Sequence, residues 1–156
     1  MTSATMSGPT LSESTTEQLQ ELVQINIDSA KGFEDASHEL SNSHLIRLCG
    51  DLANERRRQA SELTKYVEMT GQVAPKDGSF LAAVHRSWMK TRKLFLSNDE
   101  YAILAEAERG EDQIKDAYEQ ALRETTGSPV NRALQRHFLK VKEAHNRIRS
   151  LRDARV

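Results

Sequence analysis

The sequence predicts an all-α fold: an antiparallel four-helix bundle of two helical hairpins, joined by a long crossover that contains a short extra helix. Three observations point there. Charged residues make up 29% of the 156 and hydrophobic residues 37%, with only 7 Gly and 3 Pro. So much charge with so few breakers suits amphipathic helices, each with one buried stripe and one solvated face. Apolar residues also recur every three or four positions over four long stretches. Finally, the outer two breaks between those stretches are short and the middle one is long, and short breaks make antiparallel neighbours.

The first long helix is expected from about Thr16 to Leu40, capped by Thr15 or Thr16, with Leu19, Leu22, Val23, Ala30, Phe33, Ala36 and Leu40 inward. Ser41, Asn42 and Ser43 break the pattern, and Ser43 can cap the next helix. That helix runs from about His44 to Met69, its inner face carrying Leu45, Leu48, Cys49, Leu52, Ala60, Leu63 and Val67. Gly71 stands just past its end, where a left-handed residue closes a helix. Residues 71–78 read as irregular, with Pro75 and Asp77-Gly78, and a shorter helix follows over about Ser79 to Leu96. Ser97-Asn98-Asp99 introduces the third long helix, about Asp99 to Thr125. Gly127-Ser128-Pro129 forms a tight turn, and the last helix covers about Pro129 to Arg152, with Pro129 at its first position. One long crossover between hairpins is the ferritin-like arrangement, and an up-down bundle with a fifth helix packed outside is its nearest competitor.

Residues 1–15 are rich in Ser and Thr without a basic start or an apolar segment, which predicts a disordered leader rather than a secretory signal. The domain is then expected over 16–153. A chain of this size buries about two-thirds of its unfolded surface, so neither a disulfide nor a structural metal is needed to hold it. The formal net charge of -1 gives no general attraction to nucleic acid or to anionic membranes. The single cysteine, Cys49, excludes an internal disulfide and fits a reducing, cytoplasmic setting. Flanked by Leu45, Leu48 and Leu52, it reads as a packed thiol.

Function is to be sought in polar residues that interrupt the inner stripes. The stripes pass Leu22, Asn26, Ala30 and Phe33 on the first helix, and Leu52, Arg56, Gln59 and Leu63 on the second. They pass Leu104, Ala107, Glu111, Ile114 and Tyr118 on the third, and Leu134, Phe138, Val141, His145 and Ile148 on the last. Counting outward from the turns puts Asp28 level with Glu55, Glu108 with His145, and Glu111 with Lys142. Asp28, Glu55, Glu108, Glu111 and His145 are thus candidate metal ligands, since carboxylates bridge hard cations and histidines fill the remaining positions. The competing account is a buried ion-pair network in which Arg56 joins Asp28 to Glu111 and His145 donates to a carboxylate. The Glu-x-x-His pair that a di-iron bundle carries on two helices is broken at Arg58 and at Lys142.

The remaining features point to surface or packing. Glu55-Arg56-Arg57-Arg58 lacks the aromatic interleaving of a nucleic-acid surface. Trp88 either closes one end of the bundle or anchors a partner. His38, His44, His85 and His137 are scattered and are expected at the surface. There is no Gly-rich phosphate loop and no nucleophile elbow.

The segments DSAKGFEDA (Asp28–Ala36), HRSWM (His85–Met89), ILAEAERGED (Ile103–Asp112) and HNRIRSLRD (His145–Asp153) resemble an uncharacterised bacterial family of ferritin-like proteins. The resemblance implies a ferritin-like bundle distantly related to rubrerythrins and bacterioferritins, and it implies no activity. The expectation is a non-catalytic bundle with a buried polar layer and a structural or interaction role, with no cofactor and with homodimerisation open. The alternative is a protein of oxidative stress that binds iron or another divalent metal. A third reading, acid-base catalysis by Glu111 and His145, requires a deep pocket at their level.

Overall fold

The computed structural model describes residues 12–69 and 100–155. Among these residues there are four helices and no strand: α1 (Glu13–Glu39), α2 (Ser43–Met69), α3 (Glu100–Glu124) and α4 (Asn131–Asp153). The leader before residue 12, the expected helix over 79–96 and the positions of His85 and Trp88 fall outside the described residues.

α1 begins three residues before the expected start. Ser12 is the cap, in extended conformation, and its Oγ accepts from the Thr15 N–H at 3.0 Å. Thr15 and Thr16 lie inside the first turn instead. The Thr16 hydroxyl folds back to donate to the Ser12 carbonyl at 3.0 Å, as threonine does within helices. α2 is likewise capped one residue earlier than expected. Asn42, not Ser43, accepts through Oδ1 from the N–H groups of His44 (3.0 Å) and Leu45 (3.1 Å). Pro129 does not open α4; it lies in the turn over 125–130, where Gly127 takes φ 84. Asn131 secures that turn by donating to Leu122 O at 3.1 Å and Thr125 Oγ1 at 3.0 Å.

α1 packs against α2, α3 against α4, and α1 against α3. Both hairpins are antiparallel. Asn26 meets Tyr118 and Asn42 meets Glu100, so α3 also runs opposite to α1. The apolar core is divided in two. One cluster, with Leu19, Leu22, Leu63, Ile114, Leu134 and Val141, fills the end holding the α3–α4 turn. The other, with Phe33, Leu48, Leu52, Ile103, Leu104 and Ile148, fills the end holding the α1–α2 link. Between them the inner stripes carry Asn26, Arg56, Gln59 and Glu111, all buried. Among the described residues no helix is long and apolar enough to cross a membrane.

Candidate functional site: a polar layer across the bundle

Among the described residues Arg56 is the largest fully buried side chain, with no exposed surface. Its stem occupies an α2 stripe position between Leu52 and Leu63, so helical geometry carries the guanidinium inward. There Nη2 pairs with Glu111 Oε2, and Nη1 lies 3.3 Å from Glu55 Oε2. Glu111 is 1% exposed and Glu55 18% by side chain. Burial alone would make Arg56 easier to deprotonate, but the charge and hydrogen bond of Glu111 more than offset it and raise its pKa. Burial dominates at Glu55, raising its carboxyl above the ordinary range against the charge of Arg56. Arg56 Nε, Glu111 Oε1 and both polar atoms of Gln59 have no hydrogen-bond partner among the described residues.

The other sequence-predicted residues go to different partners. Glu108 takes Arg152, whose Nη1 lies 2.9 Å from Oε1 and 2.6 Å from Oε2, with Arg149 Nε at 3.7 Å. His145 is buried, with Nε2 2.6 Å from Asp112 Oδ1, an ion-pair distance without hydrogen-bond alignment. Asp28 accepts from Gln24 Nε2 at 3.1 Å. Asp112 therefore faces His145, and Glu108 faces Arg152, about a helical turn away from the levels that counting from the turn predicts. Lys142 is exposed and lies over the Phe138 ring, 5.4 Å from its centroid. The turn occupies 125–130, so its centre lies further along the chain than Thr126-Gly127, and long arginines then reach another turn of helix. Among the described residues no group of three or more His, Cys, Asp or Glu side chains is placed to hold a metal ion. As packed, these acids are partners of cations and amides, and the set does not fit a carboxylate-bridged metal pair.

A second network was missed at the sequence level because His137 reads as a surface residue. It is 5% exposed. Tyr118 Oη accepts from Asn26 Nδ2 at 2.8 Å and lies 3.1 Å from His137 Nδ1, while His137 Nε2 lies 2.7 Å from Glu62 Oε1. The chain visits α1, α3, α4 and α2 in turn. Arg136 Nη2 donates to Glu62 Oε2 at 2.8 Å from the rim. The hydrogen bond from Arg136, and then that from His137, hold the Glu62 carboxyl below its usual range against burial. Burial lowers the pKa of His137 against the pull of Glu62, and burial pushes the Tyr118 phenol well above its ordinary value. A carboxylate–imidazole–hydroxyl series has the order of a nucleophile relay. Tyr118, however, has no exposed surface, so its oxygen meets no substrate. Two signals were available. His137 falls three residues after Leu134 and four before Val141, on the α4 stripe, and a buried tyrosine needs a partner for its hydroxyl.

Cys49 is buried among the second apolar cluster, and burial pushes its thiol up to about 12. A groove of about 240 Å³ opens on the outside between α2 and α4, lined by Asp51, Glu55, Arg58, Lys140, Glu143 and Arg147 among others. Neither Glu111 nor His145 lines it, so it is not the pocket that acid-base catalysis by that pair requires.

The described residues thus form four antiparallel helices around a buried ion-pair and hydrogen-bond layer. Residues 14–124, from α1 through α3, match the model of the family described as Domain of unknown function (DUF2383), and the chain belongs to that family. No curated protein matches it.

Proposed function

We propose that this chain is a non-catalytic, ferritin-like bundle of the bacterial cytoplasm with a structural or interaction role, in which the buried polar layer sets how the helices register. The observation that carries the reading is Arg56, fully buried with Glu111 and Glu55 between two apolar clusters. A permanently charged guanidinium stands where a carboxylate-bridged metal pair would need to sit. Sliding α2 against α3 by one residue would pull that charge off its carboxylate into an apolar layer, and such mismatches specify register. The ferritin-like topology is supported by helix direction. α2 and α3 both run opposite to α1, so Met69 and Glu100 lie at opposite ends of the bundle.

The test is thermal unfolding of protein purified without added metal, with and without chelator, then with ferrous iron, manganese or zinc, alongside elemental analysis. A ligand bound only by the folded state raises the melting temperature by mass action. The expected result is no bound metal and an unchanged Tm. A saturable rise, lost in the Glu111→Gln variant, would instead support the alternative: an iron-binding or other divalent-metal protein of oxidative stress using Glu55, Glu108, Glu111, His145 and Asp28. That outcome requires Arg56 to leave the centre.

A further inference from the structure

The Asn26–Tyr118–His137–Glu62 chain has a fixed direction. Asn26 Nδ2 donates both to the Leu22 carbonyl and to Tyr118 Oη, each at 2.8 Å. The backbone carbonyl pins the amide, because a flipped Asn26 would set oxygen against oxygen. Tyr118 Oη therefore accepts from α1 and spends its own proton on His137 Nδ1. His137 must then carry its hydrogen on Nε2, where Glu62 Oε1 accepts it at 2.7 Å. Every link has one donor and one acceptor, in one order, and only the neutral Nε2–H imidazole satisfies all of them.

We propose that this chain is a pH-operated clasp across the four helices, closed while His137 is neutral and opened when His137 takes up a second proton. The added proton sits on Nδ1, facing an oxygen that already accepts from Asn26. The Tyr118 hydrogen loses its acceptor inside a residue with no exposed surface. A buried donor without a partner destabilises its surroundings, so the links to α1 and α3 loosen first.

The charged and titratable groups around His137 set the balance. From α2, Glu62 favours the imidazolium and Arg56 opposes it; on α4 itself Arg136 opposes it; α3 offers the Tyr118 phenol and α1 the neutral Asn26 amide. Arg136 also holds Glu62 from the rim, so part of its negative charge is already taken up. The clasp lies in the half of the bundle containing Leu22, Leu63, Ile114 and Val141, with the Arg56 layer between it and the other half.

The device is tested by amide hydrogen exchange at about pH 7.5 and about pH 5.5, corrected for intrinsic exchange, on wild type and on His137→Gln, bracketing the histidine range. The wild type should exchange about tenfold faster at the lower pH around Tyr118 and His137, and much less around Leu48 and Ile103. His137→Gln should lose that difference between halves. Should the variant fold poorly, proton NMR titration of the wild type decides. The His137 imidazole and the Tyr118 ring signals must then move with one midpoint. The proposal is overturned if exchange rises equally in both halves, if it does not rise, if His137→Gln keeps the wild-type pattern, or if the imidazole titrates while Tyr118 stays still.

Discussion

Replacing Arg56 by Met keeps most of the side-chain volume but strands a carboxylate. Glu111 is 1% exposed and its Oε2 is held by the guanidinium, so the variant leaves a negative charge buried with nothing opposite it. Breaking a buried pair from one side typically destabilises by about 3–5 kcal/mol. At pH 7 the loss should be of that size. In a chain of this size the neutral-pH loss lowers Tm by roughly 10 °C. Changing both partners, Arg56→Met with Glu111→Leu, removes the stranded charge and also the unpaired Arg56 Nε and Glu111 Oε1. Buried pairs replaced by apolar side chains are commonly neutral or stabilising, so the double variant should recover wild-type stability or exceed it. Urea unfolding followed by circular dichroism at pH 7 gives all the needed values. The reasoning fails if Arg56→Met alone loses less than about 1 kcal/mol, or if the double variant is as unstable as the single.

Three further outcomes are expected. Gly127→Ala should lower the urea midpoint by an amount equal to about 1 kcal/mol, because φ 84 is strained for any side chain while nothing lies within 4 Å of the added carbon. Cys49, its thiol pushed up to about 12 by burial, should react with a maleimide in the native state only as fast as the protein opens, and at full speed in urea. Glu62 has a lowered folded pKa, so the stability it contributes is present above the unfolded value, near 4.5, and is lost as pH falls through the folded one. Glu62→Gln should accordingly flatten acid unfolding below about pH 4.5, a window separate from that of His137.

Much of the architecture was legible because helical periodicity needs only the spacing of apolar side chains. The same spacing marked Asn26, Arg56, Gln59 and Glu111 as inward, and all four are buried. What the spacing does not carry is which partner each polar group meets. That depends on the true length of the turn over 125–130, and on arginines long enough to contact residues a helical turn away, as Arg152 does with Glu108. The caps were misread for a related reason. Ser12, Thr15 and Thr16 are all able to cap, and Asn42 stands beside Ser43, so composition narrows the start of a helix only to a few neighbouring residues. His137 was assigned to the surface although it continued the α4 stripe. Histidine is amphipathic, and its burial rests on partners brought from other helices, Glu62 and Tyr118.

Glu100, the first residue of α3, receives Asn42 Nδ2 at 3.0 Å on one oxygen and Arg155 Nε at 2.7 Å on the other. A single carboxylate thus moors the link between the first two helices, the entry of the third and the close of the fourth. The first turn of α3 is therefore tied to two other helix ends at once, and a change at this one carboxylate would loosen all three together.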